Sequence, residues 1–216
     1  NHHEDKDHEE DHDHHDENDH EEDHDEKEHE GDHGHEGHKH GPNDPHLWLS
    51  LTNLEKMAKS IYENLAKIDS KNELSYKENY HLLQEKFEGL EVKFKEAFSK
   101  HQGKAIIVPH EAFAYLSQEF GFEQIGLEGI NSDSEPTLTK IAEISKIMKE
   151  KNITTVFYDL GKSDKAAQTI AKETGANVKA ISTLEVLSDE DQKEARDLLS
   201  LMEMNLQNIL DSFEGK

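Results

Sequence analysis

Apolar residues follow three successive patterns along this chain, and each predicts a different kind of element. Up to position 43 there are almost none. From Thr52 they recur at helical spacing: Leu54, Met57, Ala58, Ile61, Leu65 and Ile68 share one face, and Thr52 with Glu55 has the spacing of a capping box. Asp69-Ser70-Lys71-Asn72 reads as a break. A longer helix is predicted from about Ser75 to Lys100, where Tyr76, Tyr80, Leu83, Phe87, Leu90, Phe94 and Ala97 alternate in steps of four and three. At 1.5 Å per residue it spans on the order of 40 Å. Its heptad-like seam suits a coiled-coil dimer or a strut packed on a domain; aromatic seam residues and a short length favour the strut.

From Gly103 the pattern changes again. Ala105-Ile106-Ile107-Val108 is a continuous apolar run, as in a buried parallel strand, and Pro109-His110 is expected to end it. Residues 111–120 read as a helix stopped by Gly121, and 122–127 as a second strand. After a polar turn at 131–136, Leu138, Ile141, Ala142, Ile144, Ser145 and Met148 mark another helix, ended by Lys151-Asn152. Residues 153–158 form a third predicted strand running into Asp159; 165–174 a helix stopped by Gly175; 177–181 a fourth strand; and 194–213 a closing amphipathic helix. Strands separated by helices of this length imply an α/β lobe with a parallel sheet and three layers, covering residues 103–216.

The first 43 residues change the picture from fold to chemistry. Thirteen of the 17 histidines lie between His2 and His40, interleaved with carboxylates. Such a segment cannot bury enough surface to offset its ordering entropy, so it is expected to be disordered. It is also a dense array of imidazoles and carboxylates, ligands that borderline metals such as Zn²⁺ prefer. An acidic solvated spacer is the plainer reading, but the density of histidine favours metal buffering. Neighbouring carboxylates stabilise imidazolium, so metal binding by the tract should weaken as pH falls below about 6.5.

The formal net charge of −25 is concentrated there: residues 1–45 carry 20 acids and 3 lysines, about −17, leaving about −8 for the rest. No basic cluster suits nucleic acid. The absence of cysteine excludes disulfides, thiolate zinc sites and cysteine catalysis, and it suits an extracytoplasmic protein. No apolar run approaches the roughly 18 residues of a membrane span.

Ligands of a parallel α/β sheet bind beyond the carboxyl ends of its strands. His110 follows the first predicted strand and Asp159 the third, so both emerge at one sheet edge. They could form half of a four-coordinate metal site, or each could merely cap a following helix. His46 lies in Asp44-Pro45-His46-Leu47-Trp48-Leu49-Ser50, where Pro45 holds the chain extended and Leu47, Trp48 and Leu49 can pin the loop to a core. It is either a rigidly held ligand or the last histidine of the tract. His81, off the helical seam, and His101, at a helix end, belong to no site.

Five segments occur in order: 44–50 (Asp-Pro-His-Leu-Trp-Leu-Ser), 108–116 (Val-Pro-His-Glu-Ala-Phe-Ala-Tyr-Leu), 134–136 (Ser-Glu-Pro), 156–159 (Val-Phe-Tyr-Asp) and 170–176 (Ile-Ala-Lys-Glu-Thr-Gly-Ala). Together they resemble the metal-binding substrate-binding proteins of bacterial ABC importers, specifically the zinc branch with a His-rich acidic loop. The resemblance covers essentially the whole chain. It implies two Rossmann-like lobes joined by a long rigid helix, with metal in the cleft between them. His46 matches the family's second ligand, His110 its third and Asp159 its fourth, carboxylate ligand. A histidine at position 110 is similar to the zinc members rather than the manganese ones.

There are three departures. Zinc members often carry Glu where Asp159 stands, and the usual Asp-Pro-Leu after the last strand is here Ser182-Thr183-Leu184. The first lobe and its ligand histidine, which normally precede the His-rich loop, have no counterpart, so the chain resembles a C-terminal portion of a longer protein.

The resemblance implies this division: 1–43 a disordered metal-binding loop, 44–72 a remnant of the N-terminal lobe, 73–102 a linker helix and 103–216 the C-terminal α/β lobe. It implies capture of Zn²⁺ as transported cargo and delivery to an ABC permease in the membrane, with an extracytoplasmic location and no enzymatic step. Mn²⁺, Ni²⁺ and Co²⁺ share the same ligand types. Two alternatives remain: a storage protein in which the tract does the work, and a two-His, one-carboxylate metalloenzyme. The enzyme lacks a convincing general base, since Glu111 is expected to point along its helix.

Overall fold

The computed structural model describes residues 44–128, 137–185, 187, 189–194 and 196–216. The His-rich tract at 1–43 and the turn at 131–136, including Ser134-Glu135-Pro136, lie outside the described residues.

The first helix, α1 (Leu51–Ile68), begins at Ser50, whose hydroxyl accepts from the Asn53 amide at 3.2 Å. The cap is therefore Ser50 and not Thr52, because the Thr52 hydroxyl is drawn away to Glu119 at 2.6 Å. Nor does Glu55 complete a box; it accepts from Gln84 at 2.9 Å and Tyr80 at 3.4 Å on the second helix, α2 (Glu73–Phe98). Tyr62 and Tyr80 stack with ring centroids 5.4 Å apart, so this side of α1 packs on α2. The apolar stripe is divided: Leu54 is buried and Ala58 packs against the core, while Met57, Ile61, Leu65 and Ile68 are 38%, 60%, 40% and 84% exposed. On α2 the predicted seam holds, with Tyr80, Phe87 and Phe94 buried together with Phe98.

Strands β1 (Ala105–His110), β2 (Glu123–Glu128), β3 (Thr155–Asp159) and β4 (Asn177–Ile181) form one parallel sheet in the order β2-β1-β3-β4. Strand β1 does not stop at Val108. It runs through Pro109, and His110 still sits opposite Glu128 of β2. Helix α3 (Ala114–Phe120) accordingly starts three residues later than its sequence pattern suggests. It ends at Gly121, whose φ of +79° and closeness to the Gln102 side chain leave no room for a Cβ.

Helices α4 (Leu138–Lys151) and α5 (Lys165–Thr174) cover one sheet face through a core of Ile107, Leu127, Ile144, Met148, Val156 and Ile170. The other face meets Phe94 and Phe98 of α2, Leu116 and Phe120 of α3, and Leu206 and Ile209 of the last helix. The closing helix expected over 194–213 is α7 (Leu198–Glu214), which starts four residues later because Asp197 caps it with a capping box through Ser200, and a short helix, α6 (Asp189–Lys193), precedes it. This is the expected three-layer α/β arrangement. The strand following β1 lies on one side of it and β3 on the other, so the sheet has its topological switch point between β1 and β3.

Candidate metal site

At that switch point the carboxyl ends of β1 and β3 deliver His110 and Asp159. His110 Nδ1 lies 3.3 Å from Asp159 Oδ2, and the two side chains are 10% and 7% exposed. The separation is longer than a normal N–H···O bond. It matches the roughly 3.3 Å between two ligand atoms bound tetrahedrally to Zn²⁺ at about 2.0–2.1 Å. Asp159 Oδ2 also lies 3.5 Å from Lys162 Nζ, at the start of the following turn. The other oxygen, Oδ1, is buried without a hydrogen-bond partner among the described residues. An unsatisfied buried carboxylate oxygen is costly unless a cation uses it.

His46 reaches the same place from the loop before α1. Its backbone N–H and its ring Nδ1 both meet Asp44 Oδ1 at 2.9 Å. A proton on Nδ1, donated to that carboxylate, leaves the Nε2 lone pair for a metal; a carboxylate behind a ligating imidazole fixes both tautomer and orientation. The His46 and His110 ring centroids are 5.7 Å apart, and Trp48 stands edge-on to His46 at 5.5 Å.

The loop is not a loose extension of the acidic tract. A 3₁₀ turn at Leu47–Leu49 buries Leu49 completely, the Trp48 indole N–H donates to the Thr183 carbonyl at 2.8 Å, and the Tyr115 hydroxyl donates to the Asp44 carbonyl at 3.2 Å. Thr183 belongs to the Ser182-Thr183-Leu184 segment after β4. Ser182 is held there by reciprocal 2.7 Å bonds with Asn205 of α7. The pinning role expected of Leu47-Trp48-Leu49 thus rests on Trp48 and Leu49, while Leu47 is 41% exposed.

The structure therefore brings His46, His110 and Asp159 into one neighbourhood. They do not converge on a single point: no group of three or more His, Cys, Asp or Glu among the described residues is already arranged to hold a metal ion. His81 lies exposed beside Tyr80, and His101 stands 4.0 Å from Glu214 at the far end of α2. Glu111 precedes α3 rather than lying in it, and its side chain covers Gly126 of β2. Sequence reasoning did not single out Asp44, Tyr115 and Glu119 as supports of His46. Their partners are backbone atoms, a neighbouring ring and the Thr52 hydroxyl, which leave no periodic signal. The Asp-x-His spacing of 44–46 is a local signal that could have found one of them.

Residues 2–212 match the family described as ZnuA, zinc-uptake complex component A, periplasmic. The chain is 33% identical over 169 residues to the high-affinity zinc uptake system protein ZnuA of Bacillus subtilis (strain 168), covering 78% of this chain and 53% of that protein. Among solved structures, the laminin-binding protein Lbp of Streptococcus pyogenes superposes with a TM-score of 0.70 at 31% identity, covering 79% of this chain and 65% of that one. The Zn(II)-bound ZnuA-like domain of Streptococcus pneumoniae AdcA gives a TM-score of 0.70 at 28% identity, covering 79% and 64%. The chain thus spans about half the length of the Bacillus relative and just under two thirds of these solved chains.

Proposed function

The chain belongs to the zinc-uptake complex component A family, and from that premise we propose that it captures Zn²⁺ outside the cytoplasm through His46, His110 and Asp159 and passes it to the membrane permease of an ABC importer. The observation that carries this reading is the meeting of two buried imidazoles with a carboxylate whose Oδ1 has no partner among the described residues. Two neutral nitrogens and one carboxylate oxygen form a donor set suited to Zn²⁺. Small movements of these side chains would bring the three onto an ion, consistent with a site completed by its cargo. Residues 73–102 serve here as the connecting helix and 103–216 as the lobe that carries His110 and Asp159. The family is one of zinc-uptake proteins rather than enzymes, and a bound ion needs no chemical step to be carried.

The test is competitive Zn²⁺ titration of the full chain against a strong chelator, so that only the tightest site is read. His46→Ala, His110→Ala and Asp159→Ala should each weaken that site. Tight binding indifferent to all three substitutions would overturn the assignment.

Thirteen histidines in the first 40 residues favour a second metal-handling role beside the first, low-affinity buffering by the tract. Removing residues 1–43 should then lower the number of weakly bound ions and leave the tight site intact. Loss of the tight site with the tract would make buffering the main function.

A further inference from the structure

α1 has no acidic residue in its first turn, and its Ser50 cap takes only the Asn53 amide. Helix N-termini favour negative charge and leave several amides in need of acceptors. Here the charge comes from another element. Glu119 of α3 accepts from the Leu51 amide at 3.0 Å through one carboxylate oxygen. Through the other it accepts from the Thr52 amide at 3.0 Å and the Thr52 hydroxyl at 2.6 Å. Such charge-assisted bonds are among the stronger and more directional ones available to a partly exposed side chain.

One helical turn earlier on the same face of α3, Tyr115 donates to the carbonyl of Asp44. The loop that carries His46 is therefore gripped at both ends by two side chains of α3. That helix begins four residues after His110, and its approach is itself fixed by the Phe113 amide donating to Gln124 at 2.8 Å. His110 and the two gripping residues ride on one continuous β1–α3 segment.

We propose that Tyr115 and Glu119 are positioning residues for metal binding, a clamp by which α3 sets where His46 stands relative to His110. The inference rests on the reading of His46 as a metal ligand. Neither residue touches the ion. Glu119 anchors the start of α1, Tyr115 holds Asp44 in place to orient the His46 ring, and the loop between them has little freedom left. Without the clamp, each binding event would have to order the loop again, and metal affinity would fall accordingly.

The test uses the full chain and the same chelator competition. Glu119→Ala and Tyr115→Phe should each weaken the tightest Zn²⁺ site, together by about 10-fold or more, the scale seen when outer supports of a metal site are lost. Glu119→Gln, which can still accept hydrogen bonds but carries no charge, should lie between wild type and Glu119→Ala. The deciding comparison is His46→Ala against His46→Ala/Glu119→Ala. A clamp acting through His46 has nothing left to position once the imidazole is gone, so the second substitution should cause no further loss. Equal losses in both backgrounds would mean that Glu119 only supports the fold, and no loss in either would dismiss the clamp; both overturn the proposal while leaving the metal site standing. Unchanged affinity in His46→Ala would instead remove the ligand assignment and the clamp with it. Thermal unfolding of the metal-free variants separates a loosened loop from a chain that has not folded.

Discussion

His110 Nδ1 and Asp159 Oδ2 stand 3.3 Å apart at the carboxyl ends of neighbouring parallel strands, and the second oxygen of Asp159 has no hydrogen-bond partner among the described residues. A stability-optimised fold would not leave a buried carboxylate half satisfied, so the arrangement points to a cost kept for function. Asp159→Asn should therefore separate the two. The metal-free variant is expected to melt no lower than wild type. Its tightest Zn²⁺ site should weaken by more than the roughly 10–100-fold that follows loss of a supporting hydrogen bond. A large drop in melting temperature without metal would show that Asp159 is structural.

Asp44 supports His46 twice, through its backbone N–H and through ring Nδ1. Asp44→Asn can keep the backbone contact but loses the charge that favours the Nδ1–H tautomer. It should weaken Zn²⁺ binding by about 10-fold, and Asp44→Ala, which loses both contacts, by up to about 100-fold. Chelator competition on the two variants checks the order; equal affinities would mean that the ring contact does not matter.

Much of this fold is legible in the sequence because its signals are local. Residues 165–174 and 177–181 match their predicted bounds, since Gly175, at φ +74°, is a stop that no tertiary contact competes with. Sequence fails where a distant partner decides. Thr52 has the right spacing for a cap, yet its hydroxyl goes to Glu119, and Ser50 takes the role. The period of Met57, Ile61, Leu65 and Ile68 marks α1 as a helix but not which side meets α2, because the Tyr62–Tyr80 stack fixes that. For the site, the ends of β1 and β3 placed His110 and Asp159 correctly on one sheet edge. Asp44 beside His46 is local, but the other ties of this loop come from α3 and from the segment after β4, a pairing no linear spacing encodes.

Asp197 gives the fold a defined acid response. The Ser200 amide donates to its carboxylate at the start of α7, and this bond, which outweighs the effect of burial, holds the carboxyl below its ordinary value of 3.8. A carboxylate with a lowered value in the folded state adds stability above the unfolded value and loses it as pH falls through the folded one. At pH 7, Asp197→Ala should cost about 1 kcal/mol, the usual scale for an N-cap. The gap from wild type should begin to narrow as pH drops below 3.8. Urea unfolding of both proteins at pH 7 and pH 3 measures it, and a gap constant with pH would show that the charge is not what the cap uses.

Trp48 offers a direct readout of the site because it is the chain's single tryptophan and its ring stands 5.5 Å from that of His46. Its indole N–H is committed to the Thr183 carbonyl, so the ring has a fixed orientation beside the imidazole. Metal binding at His46 must change the field at the indole, since it brings a divalent charge close to a partly buried ring. Zn²⁺ titration should therefore shift or quench the tryptophan emission at one equivalent of tightly bound ion, and the change should vanish in His46→Ala. It should persist after removal of residues 1–43, because His46 beside the indole and the Thr183 carbonyl that holds it both lie outside the deleted segment. Trp48→Phe keeps an aromatic ring, though a smaller one, and loses the N–H, so it should cost about 1 kcal/mol of stability or more. It should also weaken the tight site, since the loop then loses its tie to the end of β4. Emission that follows only the weak, multi-ion phase of the titration would assign the response to the tract and separate His46 from the tight site.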